Sequence, residues 1–392
     1  MIRRVRHIIF LRDVFLLTIS AFGGPQAHMT LFLRMMVEKR HYLSEKDLIE
    51  LYALCQILPG PTSTQTITAI GFKMGGPRLA FLTLIVWALP AVTIMTVLAV
   101  TISNLQEQDL SLAFTRFIQP MAVGFVAYAA YTISRKVVNT KTGLAIMLVA
   151  AVVSFFIRKP YIYPLLIFLA GFITSVKWKK HPHEKKEKFQ AKWRNVILWI
   201  SILVFAAVLG GITKSLPIRL FENFYRNGSL IFGGGQVLIP LLYTEFVDFK
   251  HYLTSEEFLS GYALVQAVPG PTFSFSAYIG SLAMREYGIG GEIIGALVAS
   301  AGIFLPGTLL IFFMIRFWDA LKKYRVIKAS LEGITAASSG MVIAAAFLLM
   351  EPIPSDWING VFIVATFLLL KFTRVPAPLI IVGGLIAGFV FS

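Results

Sequence analysis

The 392-residue chain is poor in charge and nearly free of cysteine. Asp, Glu, Lys and Arg make up 14% of it, against about 25% in a soluble domain. Its single cysteine, Cys55, excludes a disulfide framework, a thiolate metal cluster and a dithiol redox centre. Carboxylates are absent from whole stretches: none lies between Leu51 and Gln106, and none between Asn223 and Tyr243. A proton-coupled carrier usually keeps an ionisable group within the membrane, so no coupling ion is legible here. The patterns HExxH, GxSxG and Walker A are missing too, leaving no catalytic constellation. The chain reads as a protein that is not an enzyme, with no cofactor and no metal.

What is present is apolar. Hydrophobic residues reach 57%, with 33 Phe and 13 Tyr, and the mean hydropathy is +0.74. Such a chain cannot stay solvated and disordered. Its net charge of +16 would suit a nucleic-acid partner, but the apolar excess excludes a soluble nucleic-acid-binding protein. A helix needs about 20 apolar residues to cross a bilayer. Continuous candidates lie near 79–103, 117–134, 143–157, 160–176, 195–213, 293–315, 329–350, 357–370 and 376–392. Four further segments are interrupted: 8–36 and 220–243 at glycine-rich breaks, 48–72 and 258–284 at Pro-Gly-Pro. Porin-like alternation is absent. The expected class is an all-α polytopic membrane protein with roughly 10–13 membrane segments. The first apolar run contains Arg12-Asp13 and leads into Gly-Gly-Pro, unlike a cleavable signal, so the N-terminus is expected to be cytoplasmic.

The chain is written twice. Phe22-Gly23-Gly24-Pro25-Gln26 matches Phe232-Gly233-Gly234-Gly235-Gln236 at an offset of 210. The same offset carries His41-Tyr42-Leu43-Ser44 onto His251-Tyr252-Leu253-Thr254, and Tyr52-Ala53-Leu54-Cys55-Gln56 onto Tyr262-Ala263-Leu264-Val265-Gln266. Pro59-Gly60-Pro61-Thr62 falls on Pro269-Gly270-Pro271-Thr272. From 22 to 62 the register runs without a gap and gives 17 identities in 41 positions. Later, Leu89-Pro90 answers Leu305-Pro306 at offset 216. The expected organisation is a first repeat core at 1–116, linking helices at 117–213, a second core at 214–328 and C-terminal helices at 329–392.

Charge orients the repeats. Cytoplasmic loops carry the excess of Lys and Arg. Loop 104–116 has one basic residue, Arg116, beside Glu107 and Asp109. Its counterpart 316–328 has Arg316, Lys322, Lys323, Arg325 and Lys328. The linker loop 177–194 holds eight basic residues against two Glu. Opposite bias at equivalent loops predicts inverted repeats, with the C-terminus outside. Re-entrant hairpins at the breaks satisfy the charge rule better than full spans do.

Broken helices in corresponding positions of two halves are a sequence pointer to a transporter binding site. Pro and Gly free backbone groups that must be buried in protein or line a polar cavity. Half-helix N-termini offer N–H groups and partial positive charge to an oxyanion. The candidate binding residues are Gly23, Gly24, Gln26, Gln56, Gly60, Thr62, Ser63, Thr64, Gly233, Gly234, Gln236, Gln266, Gly270, Thr272 and Ser274, with Gln65 and Ser276 alongside. Pro25, Pro59, Pro61, Pro269 and Pro271 break the helices. Lys73, Arg78 and Arg285 follow the hairpins and could attract an anion or simply set topology. His28, matched by Leu238, and Cys55, matched by Val265, read as packing residues. His41 and His251 read as lead-ins to helices capped by Ser44 and Thr254.

The doubled Phe-Gly-Gly-(Pro/Gly)-Gln and Pro-Gly-Pro motifs resemble the chromate ion transporter family, in its long form with two homologous domains. The resemblance covers nearly the whole chain. It implies a bacterial inner-membrane carrier that expels chromate and confers resistance to it, with sulfate as a similar competitor. Gly235 stands where the first repeat has Pro25, so the halves need not contribute equally. The bilayer is the expected setting and no nucleic acid is expected as partner; a homodimer is allowed, though the sequence does not fix the oligomeric state.

Overall fold

The computed structural model describes residues 2–108, 113–137, 140–176, 194–232, 237–315 and 325–390. The glycine run Gly233-Gly234-Gly235 with Gln236, and most of the basic loops 177–194 and 316–328, lie outside the described residues. Within them the chain is helical, without a strand. In order come α1 (Ile2–Thr18), α2 (Gly24–Phe32) continued as a π-helix (Leu33–Lys39), α3 (Glu45–Ile57), α4 (Thr62–Glu107), α5 (Ile118–Val137), α6 (Lys141–Phe156) and α7 (Ile162–Ser175). Next are α8 (Arg194–Thr213), α9 (Leu216–Leu230), α10 (Leu238–Tyr243) continued as a π-helix (Thr244–Phe249) and α11 (Ser255–Ala267). The chain ends with α12 (Phe275–Ala283), α13 (Gly288–Met314), α14 (Arg325–Leu348), α15 (Trp357–Phe372) and α16 (Ala377–Val390).

Four of these helices are long and apolar enough to cross a membrane: α4, α8, α14, and α13 with the short turn before it. Apolar side chains such as Phe156, Phe168, Phe172, Phe205, Phe372 and Phe389 stand exposed on the helix surfaces. Patches of that kind mark an interaction or membrane surface, and here they suit the all-α polytopic membrane class. By contrast α3, at 13 residues and 1.5 Å rise per residue, is only about 20 Å long, short of the roughly 30 Å hydrocarbon core.

The sequence repeat becomes a repeat of elements. Helix α3 (45–57) and α11 (255–267) coincide at offset 210, and α6 (141–156) and α15 (357–372) at offset 216. Both π-helices fall at matching places. His41 and His251 both take left-handed backbone, at φ 51° and 55°, where the chain turns out of each π-helix. Ser44 and Asp47 then form a reciprocal capping box for α3, with Thr254 and Glu257 doing the same for α11. Helix α4 kinks at Gly75-Gly76, where Gly76 has φ 76°, and Gly288 opens α13 at φ 66°.

The helices gather into two units, and neither unit is a repeat. The first comprises 1–103, 190–235 and 268–318; the second comprises 104–189, 236–267 and 319–392. In the first unit α1 contributes Phe10, Val14 and Leu17 to a core that includes Phe32, Met36, Leu48, Leu51, Ile67, Trp87 and Ile311. Helix α12 packs on α13, and α8 on both α9 and α13, which lie tightly on each other: a Cβ added at Gly228 would sit 2.6 Å from the Ile303 carbonyl.

In the second unit α14 lies on α5, α6 and α7, and α15 on α5. Glycines set the closest approaches: Gly124 of α5 faces the Ile363 carbonyl, and Gly340 of α14 faces the Met147 carbonyl. Gly124 and Gly340 are 216 apart, as are Met147 and Ile363, so the halves embrace each other reciprocally. Any side chain at Gly340 must push α14 off α6. Gly340→Leu is expected to destabilise by at least the roughly 1–3 kcal/mol typical of overpacking, read as a lower melting temperature in detergent.

Candidate functional site

The two Pro-Gly-Pro breaks both lie in the first unit or at its edge, and each is held by the other repeat. Gly60, at φ 118°, donates its backbone N–H to the Ile231 carbonyl at 2.7 Å. Gly270, at φ 117°, donates to the Ala21 carbonyl at 2.8 Å. Since 60 + 210 = 270 and 21 + 210 = 231, the two bonds are exchanged partners of one another. Reciprocal pairing of this sort is the mark of a two-fold relation.

Packing follows the same rule: a Cβ at Gly60 would lie 3.4 Å from Gly307 of α13, and one at Gly270 would lie 2.9 Å from Ala91 of α4. Ala91 and Gly307 are again 216 apart. Left-handed backbone and close approach together require glycine at both positions. Each repeat's break is thereby clamped by the other repeat, against a helix that carries an internal proline, Pro90 or Pro306.

The breaks open into helix starts. In α4 the first hydrogen bond back along the chain runs from the Gln65 N–H to the Pro61 carbonyl at 2.8 Å. The N–H groups of Thr62, Ser63 and Thr64 precede that bond and have no partner within the helix. All three side chains are buried. Thr64 Oγ1 accepts from Trp87 Nε1 at 3.2 Å. Gln65 Nε2 donates across the break to the Pro59 carbonyl at 2.7 Å, leaving Oε1 buried without a partner. After the second break Thr272 is half-buried, while Ser274 is fully buried with its hydroxyl unpartnered. Ser276 turns its hydroxyl to the Phe273 carbonyl at 2.8 Å. No charged side chain lies in either segment between Glu50 and Lys73 or between Glu257 and Arg285.

The other candidates are dispersed. Gly23 (φ 90°) and Gly24 (φ 76°) bend the chain into α2. Pro25 and Gln26 lie in its first turn, their side chains outside the described residues. Gln56 is exposed near the end of α3, and Gln266, half-buried near the end of α11, belongs to the second unit. Lys73 is exposed, with its ammonium 2.6 Å from Asp47. That contact, with Ser44, holds the Asp47 carboxyl below its usual range, so much of the Lys73 charge is locally answered. Arg78 is exposed and Arg285 half-buried. His28 packs edge-on against Trp87 at 5.4 Å, with Nε2 3.2 Å from the Ala21 carbonyl. Cys55 is fully buried.

Sequence reasoning passed over Asp13. It is fully buried on α1, accepting from Arg40 at 2.7 Å and from the Tyr42 hydroxyl at 2.6 Å. The repeat offset held the signal, because it sets Asn223, an amide, over this carboxylate.

A family model described as chromate transporter matches residues 9–175 and 218–389. The chain is 27% identical over 373 residues to a chromate transport protein of Cupriavidus metallidurans, covering 94% of this chain and 89% of that protein. It is 26% identical over 375 residues to a probable chromate transport protein of Synechococcus elongatus, covering 94% and 92%. An uncharacterized transporter of Bacillus subtilis is 30% identical over 184 residues, which are 45% of this chain but 97% of its own length. No solved structure matches the chain.

Proposed function

The chain belongs to the chromate transporter family, and from that premise we propose a secondary carrier that exports chromate from the bacterial cytoplasm by alternating access, conferring chromate resistance. The observation that carries this reading is the exchanged pair of glycine bonds, Gly60 to Ile231 and Gly270 to Ala21. Two broken helices related by a two-fold give a carrier two equivalent ways to open. The opposite charge bias of loops 104–116 and 316–328 puts that two-fold in the plane of the membrane, so the repeats are inverted.

The binding residues follow from the breaks. The unspent N–H groups of Thr62, Ser63 and Thr64 face the substrate at a helix start, Thr272 and Ser274 add hydroxyl donors, and Gly60 and Gly270, whose own N–H groups are spent, shape the breaks around an uncharged pocket. Such a pocket takes a tetrahedral dianion by oriented dipoles. Gly23, Gly24, Gln26 and Gln56, with Gly233, Gly234, Gln236 and Gln266, are proposed substrate contacts on the strength of the doubled motif alone. Arg78 and, beyond its pairing with Asp47, Lys73 raise anion concentration at the inner mouth together with the basic loops, while Arg285, on the opposite side of an inverted repeat, serves the outer one.

The test is chromate uptake into everted membrane vesicles under an imposed proton or potential gradient. Uptake well above that of empty vesicles is expected, with sulfate competing. Uptake no greater than in empty vesicles overturns the carrier reading. Uptake of sulfate in preference to chromate replaces it with a general oxyanion exchanger.

A further inference from the structure

Helix α9 carries two asparagines that the proposed site does not use. Asn223 and Asn227 are both buried and lie one turn apart, so they share a face. The neighbouring positions make the contacts of α9 with α13 and α8. Phe224 and Gly228 meet α13, while Tyr225 and Ser229 hold α8, the Tyr225 hydroxyl donating to the Trp199 carbonyl and Ser229 Oγ accepting from Trp199 Nε1.

Asn223 Oδ1 accepts from Arg226 at 3.2 Å, but its Nδ2 has no partner. Asn227 is fully buried with neither Nδ2 nor Oδ1 partnered. Among the described residues no other side chain is buried with two orphaned polar atoms. The next turn of the same face ends at Ile231. Its N–H bonds back to the Asn227 carbonyl, and its own carbonyl receives the Gly60 N–H.

The first repeat is built differently on the matching face of α1. Asp13 stands for Asn223 and is tied to Arg40 and Tyr42. Leu17 stands for Asn227 and lies in the apolar core. One half thus offers neutral N–H donors leading to a break, where the other offers a carboxylate and a leucine. A buried amide that bonds to nothing in the protein costs stability and calls for a polar visitor.

We propose that Asn223 and Asn227 are oxyanion-binding residues of the carrier, forming a neutral amide lane along α9 that connects the Gly60 break with the outer end of that helix for the tetrahedral dianion. The inference rests on the carrier reading, and it makes the route through the molecule asymmetric: the α9 side conducts and the α1 side does not. Asn227 contributes to selectivity, since its Nδ2 can donate to an oxyanion, whereas a cation would find only the single neutral Oδ1.

The experiment measures chromate uptake in everted vesicles together with the melting temperature of each purified full-length variant in detergent. Asn227→Leu installs the residue that the first repeat already has. It is expected to raise KM for chromate roughly tenfold or more, as loss of a hydrogen bond to a charged group does, while the melting temperature stays level or rises. Asn227→Ser, which keeps a donor, is expected to recover part of the affinity, and Asn227→Asp to abolish uptake by repelling the dianion. An unchanged KM in Asn227→Leu overturns the lane, leaving the amides merely hydrated. Loss of both uptake and melting temperature also overturns it, because the role would then be structural. A wild-type protein that moves no chromate fails the carrier reading instead, and that outcome is known before any variant is made.

Discussion

Gly60→Leu and Gly270→Leu are each expected to cut chromate uptake at least about a hundredfold, the loss that a misplacement of about 1 Å can cause at a reactive or binding centre. Both glycines have φ near 118°, a region costing a non-glycine residue on the order of 1–3 kcal/mol. Each also donates the N–H that ties its break to the other repeat. A leucine at Gly270 must displace Ala91 on α4, and one at Gly60 must displace the Gln65 amide, with Gly307 already in contact beyond it. The strain falls on the two loops and leaves the α5–α6–α14–α15 packing of the second unit untouched. Immunoblots of isolated membranes should therefore find the variants present at near wild-type level. Normal uptake in both would return the Pro-Gly-Pro motifs to helix packing.

Trp87→Ala is expected to be the most destabilising single change in the first unit, by about 3–5 kcal/mol, the usual loss for removing a buried tryptophan. Trp87 is wholly buried. Its ring meets His28 and Phe32, each with centroids 5.4 Å away. Its Nε1 bonds Thr64 at the start of α4, and its carbonyl lies beside Gly270. The ring thus supports the first break while the backbone of the same residue lies at the second, and a hole at so enclosed a position should collapse poorly. Trp87→Phe keeps most of the volume and loses the bond to Thr64, and about 1–2 kcal/mol is expected from that bond and the lost ring. Thermal melts in detergent measure both. A Trp87→Ala protein melting within a degree or two of wild type would contradict the packing described here.

How much of this was legible in the sequence depends on what kind of information a repeat carries. Matching Gly60 to Gly270 told which residues are equivalent, and composition told that the helices lie in a membrane. Neither tells which residues touch. The bond from Gly60 to Ile231 joins positions 171 apart, and nothing in side-chain identity marks a backbone carbonyl as an acceptor. The hydroxyls after the breaks have the chemistry an anion needs, yet Thr64 serves Trp87 and Ser276 serves its own backbone. Such local bonds depend on rotamers, and spacing does not encode rotamers. Asp13 was visible as a letter, but in an apolar run it spoke only against a signal peptide until Arg40 and Tyr42 were seen to close on it. Asn227 was hidden because its counterpart is Leu17, and a search for shared residues passes over the places where repeats differ. Capping at Ser44 and Thr254 was readable because an N-cap is a local pattern of a few residues.

Helix α8 stands between the two matching sets of helices, and most of its spanning stretch is unburied. Its consequence belongs to biosynthesis. In the proposed orientation the first set returns the chain to the side on which it started, so only the single crossing of α8 turns the second set upside down. The Bacillus subtilis protein, matched over 97% of its own length by 45% of this chain, has room for one such set only. In that proposed orientation one apolar span of 20 residues makes the choice once, during translation, and binds both senses into a single polypeptide.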